Sequence, residues 1–324
     1  MGSTRDLGMG LRLDGDYTYR AEKGAKLVEK TVDGEGSMSS APTVSVITIT
    51  LNDLDGLKRT VDSVRAQRYP GPVEHIVIDG GSGDDVVDYL RQIETGLGYW
   101  QSEPDAGRYD AMNQGIARAS GDLLWFLHSR DRFSDPYSLA HVVQEIANRG
   151  PVSDLWGYGM ENLIGPDGVS VGLQAPMPFD MRRFLMIQAT IPHQASFFGS
   201  SLVRKIGGYD VEFDIAADQL FMLRAALVLE PITIERVVTD FDITGAGSAR
   251  SVDDVFDDMR RIWDLVGCYP FNGRLTSRAL LRCWERVVKA KSAVHPAVNA
   301  MKAWSVRALG TKFRRRIPCS EAPL

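Results

Sequence analysis

Apolar and polar positions change period several times along the chain, and each change marks an element. Residues 1 to about 41 have no clear apolar period and close in the small, polar run Gly34-Glu-Gly-Ser-Met-Ser-Ser-Ala41, which reads as a flexible or loosely attached arm, 1–42. Val44-Ser-Val-Ile-Thr-Ile-Thr50 is dense in β-branched residues, as a buried strand is. Leu57, Val61 and Val64 then recur at helical spacing. His75–Asp79 predicts a second strand, Asp84–Ile93 a helix, Tyr99–Glu103 a short strand, Tyr109–Ala119 a helix and Asp122–Leu127 a further strand. Ser134 is placed to cap a long helix running to about Asn148.

Strands alternating with helices imply parallel βαβ units, and such sheets bind ligands at the carboxyl ends of their strands. After Gly150 the pattern is mixed. Leu155–Ile164 and Val169–Leu173 predict a hairpin around the turn sequence Gly165-Pro-Asp-Gly168. His193–Gly199 predicts a short strand, Ala216–Leu227 an amphipathic helix and Ile232–Ile243 a strand, with helices only from Val252. The expected organisation is a Rossmann-like α/β domain over 43–250 and a helical extension over 251–324.

Composition changes this picture in three ways. The three cysteines, Cys268, Cys283 and Cys319, have no zinc or redox spacing and read as free thiols in a reducing compartment. The first residues lack the apolar stretch of a secretory signal, and no run approaches the roughly 18 to 20 apolar residues of a membrane span, so neither export nor spanning is expected. The net charge of −5 is uneven: Arg274–Arg316 holds twelve Lys or Arg against one acid, Glu285, leaving about −16 for the remainder.

The expected strand ends carry unusual residues. Thr50-Leu-Asn52 can contact a base or ribose, or Asn52 or Asp53 can simply cap the next helix. Asp79-Gly-Gly-Ser-Gly83 suits either a ribose or pyrimidine contact or a tight turn that needs glycine. There is no GxGxxG dinucleotide fingerprint and no P-loop, which argues against a dehydrogenase. Asp105-Ala-Gly-Arg108-Tyr-Asp110-Ala-Met-Asn113 is too polar for an ordinary connector. Within it Arg108 can face a diphosphate, and Asp110 and Asn113 share a helix face. In His128-Ser-Arg130-Asp131 a carboxylate can bind Mg²⁺ or Mn²⁺ and bridge it to a donor diphosphate. His193-Gln194 reads as pocket lining or as structure. Asp218 reads as a helix cap or as a general base.

In this order the motifs resemble the family 2 glycosyltransferases, which have the GT-A fold. The resemblance runs from about Val44 to Ile243, roughly two-thirds of the chain. The Asp105–Gly115 stretch is very similar to a signature of a branch that builds exopolysaccharides and cell-envelope glycolipids. The resemblance implies an inverting transfer from a nucleoside-diphosphate sugar, with Asp79 at the nucleotide base, a divalent metal on the diphosphate and Asp218 as the base on the acceptor hydroxyl. One position departs from the family. Where it carries patterns such as Asn-Ser-Asp-Asp, this chain has His128-Ser129-Arg130-Asp131. Asp131, assisted by His128, can keep the metal; Arg130 can instead neutralise the diphosphate; or the site is inactive and only binds nucleotide sugar. A nucleotidyltransferase is the remaining rival, without the basic, Gly-rich first loop such enzymes use.

The C-terminal segment sets Leu280, Leu281, Trp284, Val287 and Val288 at helical spacing among Arg278, Arg282, Arg286, Lys289 and Lys291, with Trp304, Val306, Leu309 and Lys312-Phe-Arg-Arg-Arg316 beyond. Such a helix can lie on an anionic membrane or pack on the main domain with a solvated basic face. The acidic main domain argues against nucleic acid. The expectation is a cytoplasmic enzyme, peripheral at the inner face of the plasma membrane, acting on a glycolipid or polysaccharide.

Overall fold

The computed structural model describes residues 41–244, 251–271 and 273–290, without the side chains of 214 and 215. The expected arm lies almost wholly outside the described residues, as do Lys291, Trp304, Val306, Leu309 and the Lys312–Arg316 run. In chain order the first elements are β1 (Val44–Thr50), α1 (Leu54–Arg65), β2 (Val73–Asp79), α2 (Asp84–Ile93), β3 (Tyr99–Ser102), α3 (Arg108–Arg118), β4 (Leu123–Phe126), β5 (Arg132–Phe133) and α4 (Ser138–Ile146). There follow β6 (Trp156–Ile164), β7 (Ser170–Gln174), α5 (Met181–Leu185), β8 (Ser196–Gly199), α6 (Ser200–Ile206), α7 (Ala217–Val228), β9 (Ile232–Asp242) and α8 (Val252–Val266). A last helix, α9, covers 274–290.

The strands form one nine-stranded sheet in the order β3-β2-β1-β4-β8-β6-β9-β5, with β7 on β6. The first four strands run parallel, each return passing through a helix. The chain reverses at β8, which is antiparallel to both β4 and β6. β9 returns parallel to β6, and two-residue β5 closes the edge antiparallel to β9. The α/β class and the parallel N-terminal half follow the hydrophobic pattern. Leu57 and Val61 on α1 are fully buried and pack with Val77, Val86 and Leu90 on one side of the sheet. Trp125, Phe133, Leu139 and Phe197 belong to a second apolar cluster, around β4, β8 and α4.

Two local readings differ from the structure, and short elements between them go unread. The helix expected to begin after Ser134 begins at Ser138, because Asp135 and Pro136 form a turn and the Ser134 hydroxyl donates to the Val237 carbonyl at 2.9 Å. β5 and α6 carry no periodic signal long enough to read. The helix carrying Asp218 is not one-sided: Leu220, Phe221, Met222 and Leu223 are all buried, as in a core helix.

The chain divides into two compact units. The first runs to Phe179 and again from Thr190 to the described residues before 245; the second takes Asp180–Ala189 and the described residues from Ser251. In the second, α8 and α9 run antiparallel and are laced by ion pairs: Asp264 with Arg274 (3.0 Å) and Arg278, Arg260 with Glu285, and Asp253 with Lys289. No helix among the described residues is long and apolar enough to cross a membrane.

Candidate active site

The carboxyl ends of β1 and β2 lie side by side, with Thr50 in register with Asp79. Asp79 is fully buried, and its carboxylate accepts from Ser82 N (2.9 Å), Ser102 Oγ (2.6 Å) and Ser82 Oγ. Ser82 Oγ in turn accepts the Asn52 N–H at 2.6 Å, and Asn52 sits at φ 51°. The two strand-end turns are thus tied into one floor. Thr50 Oγ1 is buried in this floor without a hydrogen-bond partner, an arrangement that a ligand or water can complete. Of the two glycines after Asp79, Gly81 is the one the backbone requires. A Cβ on Gly80 would stand 2.9 Å from Asp105 Oδ2, and Gly81 has φ 89°.

The polar stretch before α3 folds on itself. Asp105 accepts from Gly107 N (2.8 Å), and Asp110 accepts from Ala106 N and Gln114 Nε2, both at 3.0 Å. Arg108 opens the helix, near enough to His128 for its charge to help keep that ring neutral. Asn113 turns elsewhere: its Oδ1 accepts from Tyr209 N (2.7 Å) and its Nδ2 donates to Tyr209 O (2.9 Å). Asp110 and Asn113, three residues apart on α3, serve different partners.

The loop after β4 is pinned from below by Thr60, whose hydroxyl reaches the Asp131 carbonyl at 2.7 Å. Arg130 sits at φ 83°, in the left-handed region. Its guanidinium grips Asp53, Nε to Oδ2 at 2.7 Å and Nη2 to Oδ1 at 3.3 Å, while Nη1 donates to Thr244 Oγ1 at 3.2 Å. Asp53 also caps α1 and accepts from Ser129 Oγ at 2.9 Å. Partial burial pushes Asp53 upward, but the bonds from Arg130, Ser129 and Gly56 outweigh it and hold the carboxyl below its ordinary range. The cation that sequence reading offered to a diphosphate is engaged by Asp53.

Asp131 is 3 % exposed. It accepts from Asp242 N at 3.0 Å and bonds the Gln194 side chain, while burial first and nearby Asp242 second hold its carboxyl well above the usual range. His128 Nδ1 is shielded from solvent without a partner, and burial, with His193 and Arg108 nearby, keeps the ring neutral. No three His, Cys, Asp or Glu side chains converge as a metal cage among the described residues. A Mg²⁺ or Mn²⁺ shared with a diphosphate needs only one or two protein carboxylates, a requirement that Asp131 can meet.

A second wall adjoins this loop. His193 stacks on His128 with ring centroids 5.6 Å apart, and its Nε2 shares a 2.7 Å hydrogen bond with the Tyr209 hydroxyl. Burial lowers His193 to about 4, so it is neutral. Tyr209 stacks on Phe221 at 4.3 Å. Burial pushes its phenol up, and the Asp218 carboxylate pushes it further; Phe221, on which it stacks, stands three residues after Asp218 on the same helix. Asp218, in the first turn of α7, accepts from Gln219 N at 2.7 Å. The Gln194 carbonyl accepts from Trp125 Nε1 at 2.7 Å. Tyr209 therefore joins α3, His193 and the neighbourhood of Asp218. Sequence reading passes over it, because its contact with Asn113 spans 96 residues. It also passes over Glu161, a carboxyl on β6 that is 2 % exposed and held well above its usual range by burial and then by Asp131.

Comparison with known proteins gives this geometry a context. The model of the family "Glycosyl transferase family 2" matches residues 45–198. An uncharacterized glycosyltransferase of Mycobacterium tuberculosis (strain H37Rv) is 65% identical over 245 residues, covering 76% of this chain and 92% of that protein. A PGL/p-HBAD biosynthesis glycosyltransferase of the same strain is 29% identical over 270 residues, covering 80% and 98%. Among solved structures, S. aureus TarS 1–349 in complex with UDP-GlcNAc aligns with TM-score 0.54 at 18% identity, covering 68% of this chain and 65% of that one. The mannosyltransferase PcManGT from Pyrobaculum calidifontis, in complex with GDP-Man and Mn²⁺, aligns with TM-score 0.54 at 18% identity, covering 91% and 88%. The sheet and its helices have the GT-A fold.

Proposed function

This chain belongs to glycosyl transferase family 2, and from that premise we propose that it moves a sugar from a nucleoside-diphosphate sugar, with inversion at the anomeric carbon, to a hydroxyl of an envelope glycolipid or polysaccharide. The observation that carries the reading is the meeting of Thr50, Asp79 and the His128–Asp131 loop at the carboxyl ends of neighbouring parallel strands, where open α/β sheets take their ligands. The catalytic domain is 43–250. The enzyme is cytoplasmic, works peripherally at the inner face of the plasma membrane and has no nucleic-acid partner. The glycolipid acceptor draws support from the 29% identical relative named for PGL/p-HBAD biosynthesis.

Asp79 has three of its roughly four lone-pair directions filled by serine donors; it shapes the floor and offers the last to the nucleotide base. Thr50 and Asn52 line the same floor, and Asp105 and Asp110 hold the loop that presents Arg108 to the diphosphate. Arg130 serves the donor through Asp53 rather than by touching phosphate. Asp131, with His128 beside it, would hold Mg²⁺ or Mn²⁺, which supplies positive charge to the leaving diphosphate when bound. On the acceptor side, neutral His193 and Gln194 line the pocket, and Asp218 takes the proton of the attacking hydroxyl. The oxygen bonds the anomeric carbon from the face opposite the departing nucleotide, so no covalent enzyme intermediate forms. General-base help of this kind is worth about 10² to 10⁴ in rate.

Calorimetric titration with UDP, GDP and dTDP, with Mn²⁺ and again with EDTA, tests the donor half. One nucleotide binding in a Mn²⁺-dependent way is expected, and no binding of any of the three would remove the basis for transfer. Asp218→Asn should bind that nucleotide normally and lose at least about 10²-fold in turnover; wild-type turnover in this variant would exclude Asp218 as the base.

A further inference from the structure

Helix α9 carries apolar side chains on two opposite faces, and among the described residues only one of them has a partner. On the inner side Ser277 and Leu281 are fully buried and Trp284 and Val288 half-buried. The charges beside them turn to α8: Arg274 and Arg278 to Asp264, Glu285 to Arg260, and Lys289 to Asp253. On the outer side Leu275 is 84% exposed, Leu280 46% and Val287 43%, with the exposed thiol of Cys283 between them. At 100° per residue these four fall within one side of the helix, a strip of about 20 Å. Single exposed apolar residues are ordinary, but a continuous strip on a helix marks a contact surface.

We propose that this outer face docks on an anionic lipid surface. The charges decide the occupant. Arg282 and Arg286 flank the strip, are exposed, and make no ion pair among the described residues. The only acid of α9, Glu285, has a side chain 12% exposed and engaged by Arg260 and Lys289. The outer face is therefore apolar along its middle and purely cationic at its margin. A helix of this kind lies in the headgroup plane with its apolar side chains in the acyl boundary, and its arginine stems reach up to anionic headgroups. The inference deepens the reading of the acceptor as a glycolipid and rests on that reading for its purpose, since it would hold the enzyme where a lipid-borne hydroxyl is presented.

The test is vesicle flotation of the full chain without acceptor. Vesicles of phosphatidylglycerol mixed equally with phosphatidylcholine are compared with phosphatidylcholine alone. The wild type should float with the anionic vesicles and not with the neutral ones. Leu275→Glu combined with Val287→Glu, and separately Arg282→Glu combined with Arg286→Glu, should each weaken partitioning by about tenfold or more. Both variants change exposed positions and should keep the wild-type melting temperature and nucleotide affinity. Absence of wild-type binding, undiminished binding of the Leu275/Val287 variant, or a dimer in solution that this variant dissolves would each overturn the proposal. Nucleotide titration of the same samples separates the two readings: its failure with flotation intact would sink the transfer chemistry and leave the docking surface standing.

Discussion

Tyr209 is held at three points: its backbone by the Asn113 amide, its ring by Phe221 and its hydroxyl by His193. Tyr209→Phe keeps the ring and its stack and removes only the bond to His193. One buried hydrogen bond is worth about 1 kcal/mol, so the variant should unfold at slightly lower urea and release His193 to turn. The expected signature is a fall in kcat of about tenfold with little change in donor affinity; a change confined to stability would reduce Tyr209 to a packing residue. Arg130 poses the opposite question, because its strain lies in the backbone. A left-handed φ costs a side chain about 1 kcal/mol relative to glycine. Arg130→Gly and Arg130→Ala both lose the Asp53 pair, so their difference isolates the backbone. Urea unfolding should find the glycine variant the more stable by about that amount, and equal midpoints would show that the φ of 83° carries no strain.

Elements answer to tighter limits than residues do. Helix α3 crosses β1 at Gly115, where a Cβ would stand 2.4 Å from Ile47 Cγ2. Gly115→Ala must push helix from sheet, and overpacking of this sort costs about 1–3 kcal/mol. Because α3 opens with Arg108, the same change should weaken nucleotide binding, measurable by calorimetry; an unaltered affinity would show that the loop before α3 moves independently of the helix. This half of the molecule is the legible half. Strand β1 and helix α2 match their expected bounds, because β-branched runs and helical spacing are local signals. The antiparallel half is harder to read: β5 has only two residues, and its pairing with β9 joins Arg132 to Asp240. The placement of Thr50 and Asp79 at adjoining strand ends is legible, because the β-branched runs show where β1 and β2 stop. The engagement of Arg130 by Asp53, and of Asn113 by Tyr209, is not, since partners 77 and 96 residues away leave no local trace.

Across the whole molecule, buried titratable groups act on stability in two opposite directions. His75 is lowered to about 3, by burial first and Arg65 second, and His193 to about 4, with His128 also well below its ordinary value. Unfolded histidine ionises near 6.5, so below that pH the unfolded chain takes up protons that the folded chain refuses, and stability falls as pH drops. Asp131 and Glu161 are raised instead. Their contribution is complete below the unfolded carboxylate range and is lost as pH climbs. The two slopes oppose each other between about pH 5 and 6.5, up to about 1.4 kcal/mol per pH unit for each group. Urea unfolding across that interval should show Glu161→Gln gaining on the wild type as pH rises and His75→Gln gaining as pH falls; parallel profiles would mean that these groups already exchange protons with solvent in the folded state. The clasp between Asn113 and Tyr209 carries a different consequence. One rigid rod, α3, begins in the donor loop and has its middle fastened to the acceptor wall. A displacement of α3 at Arg108 is passed through that clasp to Tyr209 and on to Phe221 of α7, so under the proposed roles donor and acceptor would change each other's affinity by the same factor.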